Sequence, residues 1–209
     1  MKIGIYGGTF DPPHIGHINA CKAFLDQIEL DVLYVIPVYK PPHKNIFSGT
    51  DVTSRLEMTR LAFQGLSNKI VVSDVEIKRE GRSYTADTLK YFKGEFNNPE
   101  IYFLCGTDMI LTMDFWYKPE YIFENATIVY ARRESDENIT AEISAKCKLY
   151  EEKYNASILS IDLSATEVSS SDIRKRISND ENEVYLTPSI YDYILKNGLY
   201  KEKWITIGN

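Results

Sequence analysis

The chain has 209 residues, of which 44% are hydrophobic and 26% are charged. This length and balance predict one folded domain over residues 1–209, with a small helical part from about residue 165 onward. The formal net charge of −6 argues against a general nucleic-acid-binding protein, which would present a basic face. No apolar run approaches the ~20 residues of a membrane span, and no basic-then-apolar leader precedes the first strand pattern. We therefore expect a cytoplasmic protein without a membrane partner.

The chain has only three cysteines, Cys21, Cys105 and Cys147. They are scattered, with neither metal-ligand spacing nor a disulfide pattern. We expect them to be reduced and mostly buried. The sequence leaves the oligomeric state open, and a homo-oligomer is compatible with it.

Strand-like and helix-like patterns alternate along the chain. Apolar, β-branched runs predict strands, and apolar stripes at three- and four-residue spacing predict helices. The predicted strands are residues 2–7, 31–38, 69–77, 100–106, 126–132 and 156–163. The predicted helices cover residues from about 18 to 28, 54 to 66, 83 to 96, 139 to 153, 169 to 177 and 188 to 197. Ser54 and Glu57 form a plausible capping box for the second of these helices. This alternation predicts an α/β fold, a Rossmann-like, doubly wound, mostly parallel sheet with helices on both faces.

Distinctive motifs directly follow four of the predicted strands. They are "GGTFDPPH" at residues 7–14, "YKPPHK" at 39–44, "GTD" at 106–108 and "SSSDIR" at 169–174. Ligands of open parallel sheets bind beyond the carboxyl ends of the strands. We therefore expect the four motifs to meet at one ligand site.

The first junction has the features of a phosphate site. Gly7 and Gly8 allow a sharp turn and a close approach of the backbone to a ligand. His14 and His17 are three residues apart, so they share one face near the N-terminus of a helix. Free N–H groups and the helix dipole attract anions there, and the two imidazoles could donate hydrogen bonds to phosphate oxygens. The alternatives are a plain surface pair and a zinc site, which lacks a third ligand at sensible spacing.

The stretch "GTFDPPHIGH" at residues 8–17 resembles the HxGH signature of the nucleotidyltransferase superfamily. Further motifs follow in the order typical of one branch, the bacterial nicotinate-nucleotide adenylyltransferases. Besides "YKPPHK", they are "SYTADTL" at 83–89, "GTDM" at 106–109, "FWYKPE" at 115–120 and "VSSSDIR" at 168–174. The resemblance covers nearly the whole chain, to about residue 200.

The resemblance implies that ATP and nicotinate mononucleotide react to give deamido-NAD and pyrophosphate. It implies that ATP is bound by Gly8, Thr9, Phe10, His14, His17, Gly106, Asp108, Ser169, Ser170 and Arg174. It implies that the nicotinate nucleotide is bound by Tyr84, Thr85, Trp116 and Tyr117. The implied catalytic residues are His14, His17, Lys44 and Arg174.

Physical chemistry is consistent with these implied roles. A pyridine ring needs a flat aromatic partner, and Trp116 has the largest face. Backbone N–H groups at a helix start near Thr85 suit a carboxylate. Arg174 can hold a phosphate by two parallel hydrogen bonds, whereas Lys44 acts as a movable point charge. We expect Mg²⁺ to bind mainly through ATP phosphates, without a protein metal site. Residues 39–51 are the predicted moving loop.

The chain departs from the family pattern at a few positions. Val168 and Ser171 replace the first and fourth residues of the usual "ISSTxIR" motif, and Ser171 keeps a hydroxyl. Arg132 matches a family arginine, whose position implies a phosphate role, although the turn that follows differs. The alternative substrates are nicotinamide mononucleotide and phosphopantetheine. The alternative classes are a non-catalytic nucleotide-binding regulator and a zinc hydrolase.

Overall fold

The structure is a computed structural model that describes residues 1–42, 50–133, 137–163, 168–179, 181 and 185–201, and only the backbone at residues 133 and 137–139. Its strands are β1 (Lys2–Gly8), β2 (Val32–Pro37), β3 (Ile70–Val72), β4 (Glu100–Gly106), β5 (Thr127–Arg133) and β6 (Ile158–Leu163). Its α-helices are α1 (Ile15–Gln27), α2 (Val52–Phe63), α3 (Val75–Arg79), α4 (Thr85–Glu95), α5 (Thr107–Ile110), α6 (Pro119–Asn125), α7 (Glu137–Tyr154), α8 (Ser170–Ser178) and α9 (Pro188–Lys196), and a 3₁₀ turn spans Met113–Phe115.

The six strands form one sheet in the order β3-β2-β1-β4-β5-β6. Every neighbouring pair is parallel, and β1 lies at the centre, with Ile5 opposite both Tyr34 of β2 and Phe103 of β4. This is the doubly wound Rossmann-like order, so the predicted fold class is confirmed. The strand order reverses between β1 and β4, which is where such sheets open a crevice for ligands.

Two hydrophobic clusters pack against the sheet, because successive strand residues point to opposite faces. Leu104 and Val129 belong to one cluster, which also contains residues of α1, α2, α8 and α9. Phe103 and Ile128 belong to the other, which also contains residues of α4, α6 and α7. All three cysteines are free, as expected. None of the helices within the described ranges has the length and apolar character to cross a bilayer.

Two local predictions are wrong. The strand predicted over residues 69–77 ends at Val72, and α3 occupies its second half. The periodicity of a short apolar run does not distinguish a strand from a helix. In the helix Glu76 and Arg79 share one face, and Nη2 of Arg79 lies 4.0 Å from Oε1 of Glu76. Helix α2 is capped by Asp51, not Ser54, because the Asp51 carboxylate accepts the Ser54 backbone N–H at 2.8 Å.

Candidate active site

A cavity of about 460 Å³ opens beyond the carboxyl ends of β1, β2 and β4. Its walls come from the loop after β1, the loop after β2, the start of α4 and the segment after β4. Of the predicted site residues, the cavity is lined by Gly8, Thr9, Tyr84, Thr85, Asp108, Trp116 and Tyr117. Motifs far apart in the chain thus meet at the strand-order switch. Lys44 and most of the predicted moving loop lie outside the described residues.

Phe10 is placed in the core beside the cavity. It is 1% exposed, and its ring meets those of His17 and Phe63 edge-on, with centroids 5.0 and 6.0 Å away. The ring folds back over Gly8, where an added Cβ would lie 2.8 Å from Phe10 Cζ. Any contact of Phe10 with ATP would therefore use its backbone.

The two histidines lie together at the start of α1. His14 is the N-cap residue, and its backbone N–H donates to Nδ1 of His17 at 3.1 Å. The two ring centroids are 3.7 Å apart. Because Nδ1 of His17 accepts a hydrogen bond, the proton of the neutral ring is on Nε2. His17 is thus held as a hydrogen-bond donor at Nε2.

The pKa of His17 makes the unfolding free energy depend on pH. Burial, and then the neighbouring His14, lower this pKa well below its usual value of 6.5. Below pH 6.5 the unfolded chain therefore binds more protons at this site, so stability falls as pH falls, by at most ~1.4 kcal/mol per pH unit. The free energy of unfolding, measured with urea at several pH values between 5.5 and 7.5, should change less with pH for His17→Asn than for the wild type. An equal pH dependence in the two proteins would contradict a lowered pKa for the half-buried His17.

Gly16 packs closely against the ring of His14. A Cβ at Gly16 would lie 3.1 Å from both Cε1 and Nδ1 of the His14 ring. We expect Gly16→Ala to displace this imidazole and lower turnover. The matched control is Gly94→Ala in α4, where an added Cβ meets nothing within 4 Å. It should raise stability by roughly 0.5–1 kcal/mol and leave turnover unchanged. If both variants keep wild-type turnover, the assigned packing role is wrong.

The N-terminus of α8 packs on the segment from Asp11 to His17, which joins β1 to α1 and is called the histidine junction below. Arg174 donates from Nη1 to the Asp11 carbonyl at 2.6 Å, and the Ser170 hydroxyl donates to the Pro12 carbonyl at 2.9 Å. The Ser169 hydroxyl caps α8 by accepting the Asp172 N–H at 3.1 Å. These predicted residues therefore lie beside His14 and His17. Because both serine hydroxyls already bond within the protein, their backbone N–H groups are the better candidates for phosphate.

Asp11 is a buried carboxylate whose importance the sequence did not reveal. It is 2% exposed and accepts a hydrogen bond from the Tyr200 hydroxyl at 2.7 Å. Its Oδ2 lies 3.9 Å from Nη1 of Arg174. Burial and then Asp11 raise the pKa of Tyr200, so the phenol stays protonated as the donor. Asp11 thereby joins the junction, α8 and the segment after α9.

Asp108 follows β4 and is exposed to solvent. Gly106 caps α5, and a Cβ there would lie only 2.8 Å from Oδ1 of Asp108. The carboxylate thus turns back over the strand end, where it can accept hydrogen bonds at the cavity. Arg132 does not line the cavity. Its Nη2 pairs with Oδ1 of Asp162, on the neighbouring strand β6, at 2.6 Å.

Aromatic rings form the opposite wall of the cavity. The rings of Tyr84 and Tyr117 are 4.5 Å apart, and the half-buried Trp116 meets Phe103 edge-on with centroids 6.3 Å apart. Helix α4 begins at Thr85, so its first N–H groups lack intrahelical partners. The wall thus combines flat rings with a helix N-terminus.

A buried cluster that the sequence analysis missed supports this wall. Glu76 Oε1 accepts a 2.6 Å hydrogen bond from the Thr88 hydroxyl, and Arg79 donates to the same hydroxyl at 3.2 Å. Glu76 and Thr88 both line the cavity. Burial raises the pKa of Glu76, and its hydrogen bonds and Arg79 counteract that effect. The cluster fixes α3 to the first turns of α4.

Asp114 fixes the turn that carries Trp116. It accepts hydrogen bonds from Lys146 at 3.0 Å and from the Tyr150 hydroxyl at 2.9 Å, both on α7. Burial alone would raise the pKa of Asp114, but these bonds and the Lys146 charge outweigh it and lower the pKa. Asp114→Asn should reduce stability by about 1–3 kcal/mol and change the fluorescence of Trp116.

The matched control for Asp114→Asn is Lys148→Gln. Lys148 lies on α7, as do the partners of Asp114, but it forms only an exposed ion pair, with Glu152 of that helix. We expect that change to cost less than about 1 kcal/mol, measured by urea unfolding. Equal losses for the two variants would show that Asp114 does not fix the turn.

Known proteins resemble this chain in sequence and in structure. The family model described as cytidylyltransferase-like matches residues 5–176. A probable nicotinate-nucleotide adenylyltransferase of Clostridium botulinum (strain Eklund 17B) is 36% identical, covering 97% of this chain and 99% of the relative. A relative with the same name from Exiguobacterium sibiricum is 32% identical, covering 90% and 92% of the two chains.

Solved structures show the same fold. Nicotinic acid mononucleotide adenylyltransferase of Plasmodium falciparum, complexed with APC, has a TM-score of 0.72 at 24% identity, covering 95% of this chain and 96% of that chain. The same enzyme complexed with NaAD has a TM-score of 0.71, again at 24% identity, covering 95% and 97%. The family model and the curated relatives each span most of the sequence. The chain therefore belongs to the nicotinate-nucleotide adenylyltransferase family, within the cytidylyltransferase-like nucleotidyltransferases.

Proposed function

We propose that this protein transfers the adenylyl group of ATP to nicotinate mononucleotide, releasing deamido-NAD and pyrophosphate. The observation that carries the proposal is the joining of two unlike surfaces at one strand-order switch. One is the junction of His14, His17 and Arg174, which suits phosphates and adjoins the cavity through Gly8 and Thr9 without lining it. The other is the aromatic wall at Trp116, which suits a pyridine ring. The curated relatives carry the name of this activity.

ATP would lie along the junction between β1 and α1. The triphosphate would meet the N-termini of α1 and α8, where the helix dipoles favour anions. His17 would donate from Nε2, since Nδ1 already accepts from the His14 backbone. Asp108 would accept hydrogen bonds from the ribose hydroxyls, next to the backbone of Gly106. Lys44 remains a predicted phosphate contact from outside the described residues.

Nicotinate mononucleotide would lie in the aromatic part of the cavity. Trp116 and the pair Tyr84–Tyr117 offer flat partners for the pyridine ring. The N–H groups at the start of α4, near Thr85, can donate to a carboxylate. A carboxamide needs an acceptor for its NH₂ group, so this end favours the acid over the amide.

The reaction needs alignment and charge neutralisation more than acid–base chemistry. The 5′-phosphate oxygen of the mononucleotide, already an anion, attacks the α-phosphorus of ATP while pyrophosphate leaves on the opposite side. No proton has to be removed from the nucleophile. Fixed donors, here the helix N-termini, His17 and Arg174, stabilise the charge that develops in the transition state.

Magnesium would neutralise part of the triphosphate charge when bound. Within the described ranges, no group of three His, Cys, Asp or Glu residues could hold a metal ion. Asp11, which lies in the turn before His14, is buried and bonded to Tyr200. We therefore propose that Mg²⁺ is held by phosphate oxygens, and we assign it no ligand among the described side chains.

A pyrophosphate-release assay with ATP and magnesium tests the proposal. Nicotinate mononucleotide, nicotinamide mononucleotide and phosphopantetheine are compared as second substrates at equal concentration. We expect the largest kcat/KM with nicotinate mononucleotide. Equal kcat/KM for nicotinate and nicotinamide mononucleotide would contradict the proposed preference for a carboxylate. Pyrophosphate release only with phosphopantetheine would show that phosphopantetheine, and not nicotinate mononucleotide, is the substrate. ATP binding by calorimetry without release with any of the three would instead favour a non-catalytic regulator.

A further inference from the structure

Arg55 of α2 is a charged residue with an unusual position. It is 1% exposed, the largest of the fully buried side chains described. Its guanidinium reaches the loops that leave β1 and β2, and residues of both loops line the cavity. None of the roles proposed above uses this residue.

The guanidinium of Arg55 binds carbonyl groups of both loops. Nη1 donates to the carbonyls of Thr9 and Val38, each at 2.8 Å, and Nη2 donates to that of Tyr39 at 3.2 Å. The loops also bond directly, since the Val38 N–H donates to the Gly8 carbonyl at 3.0 Å. Arg55 thus joins the turn of the histidine junction to the start of the loop that contains Lys44.

Stability alone does not explain this arginine. Burying a charge is costly, and an apolar residue of similar volume often stabilises a protein as well or better. Over the described part of the chain, no carboxylate forms an ion pair with Arg55 within 4.0 Å. The loop carbonyls bind both terminal nitrogens of the guanidinium, whereas its buried Nε has no hydrogen-bond partner there. Burial lowers the pKa of Arg55 below its usual value, and Asp11 nearby opposes that effect. The group remains charged at neutral pH.

The direction of the bound carbonyls suits a phosphate site. A carbonyl oxygen carries partial negative charge, so a loop that faces a triphosphate with its carbonyls would repel it. Arg55 turns the carbonyls of Thr9 and Val38 into the protein at positions that line the cavity. It also adds a fixed positive charge beneath the loop, in surroundings of low dielectric where charge acts strongly.

We propose that Arg55 is a positioning residue for adenylyl transfer, holding the two loops in the geometry that receives the triphosphate. This inference rests on the proposed function for its catalytic readout. ATP binding measured alone tests it independently of the second substrate.

The test compares Arg55→Lys and Arg55→Gln with the matched control Arg60→Gln. Arg60 lies on the same helix but is exposed, in an ion pair with Glu57 at 3.5 Å. Lysine keeps the charge without the fork of donors, and glutamine keeps an amide donor without the charge. The measurements are the ATP dissociation constant by calorimetry, kcat and KM for each substrate, and the thermal midpoint.

We expect both Arg55 variants to bind ATP more weakly and to lose about 10²-fold in kcat/KM for ATP, the usual effect of a small misplacement. KM for nicotinate mononucleotide should change little, and Arg60→Gln should match the wild type. Folded variants with wild-type ATP affinity and kcat would overturn the proposal. So would an equal rise of KM for both substrates, or failure of both variants to fold, since either would show a general structural role. If wild type and control bind ATP but release no pyrophosphate, the proposed function fails while the binding comparison still decides Arg55.

Discussion

Replacing His17 by alanine is expected to lower kcat about 10²–10³-fold, the range found when one preorganised donor to a developing charge is removed. The reason lies in the proton on Nε2. The backbone N–H of His14 donates to Nδ1 of His17, which leaves Nε2 as the donor for a phosphate oxygen. KM for the two substrates should change much less than kcat, because the donor acts mainly on the transition state. Steady-state pyrophosphate release at saturating substrate measures the effect.

The control for this prediction is His17→Asn. The asparagine oxygen can accept the His14 N–H in place of Nδ1, but the side chain cannot reach as far as Nε2. Both variants should therefore lose turnover, while the asparagine variant keeps about 1 kcal/mol more stability than the alanine variant in urea unfolding. Near-normal kcat in either variant would contradict the role assigned to His17.

The second large effect is expected at Arg174. Its Nη1 donates to the Asp11 carbonyl at 2.6 Å, which directs the guanidinium toward the histidine junction. A guanidinium holds a phosphate by two parallel hydrogen bonds, and bonds to charged groups contribute about 1.5–3 kcal/mol. Arg174→Gln should therefore reduce kcat/KM for ATP by about 10–10²-fold. Arg174→Lys should recover only part of the loss, because lysine keeps the charge but not the paired donors.

Arg176→Gln is the matched control on the same helix. Arg176 lies beside Glu181, with Nη1 3.7 Å from Oε2, on the partly exposed side of α8. Its loss should leave kcat/KM for ATP unchanged. If the Arg174 and Arg176 variants behave alike, α8 contributes general charge and not a specific phosphate contact.

The parts of the site that were predictable from the sequence are those that follow strand ends. Glycines, prolines and histidines after a short apolar run indicate a strand, a turn and a helix start in that order, and β1 and α1 have this arrangement. Parallel strands present their carboxyl ends at one edge, so motifs a hundred residues apart converge without any knowledge of contacts. The position of Thr9 and Asp108 at one cavity follows from this topology, whereas the position of Trp116 there was implied only by the family resemblance.

Other parts of the site depend on pairings that no local pattern encodes. Tyr200 and Asp11 are 189 positions apart, and Arg55 reaches the Thr9 carbonyl across 46 positions. In the sequence Arg55 is an ordinary helix residue, and only the packing of α2 shows that it is buried. The Phe10 ring is likewise in the core because of its backbone φ of 48° and the close approach of Gly8.

The central claim is that the triphosphate and the paired imidazoles meet at the N-terminus of α1. A crystal structure of the protein with a non-hydrolysable ATP analogue tests it most directly. We expect a phosphate oxygen about 2.7–3.2 Å from Nε2 of His17, with the guanidinium of Arg174 on the same triphosphate. An analogue bound with its phosphates outside hydrogen-bond distance of both histidine rings would contradict the account.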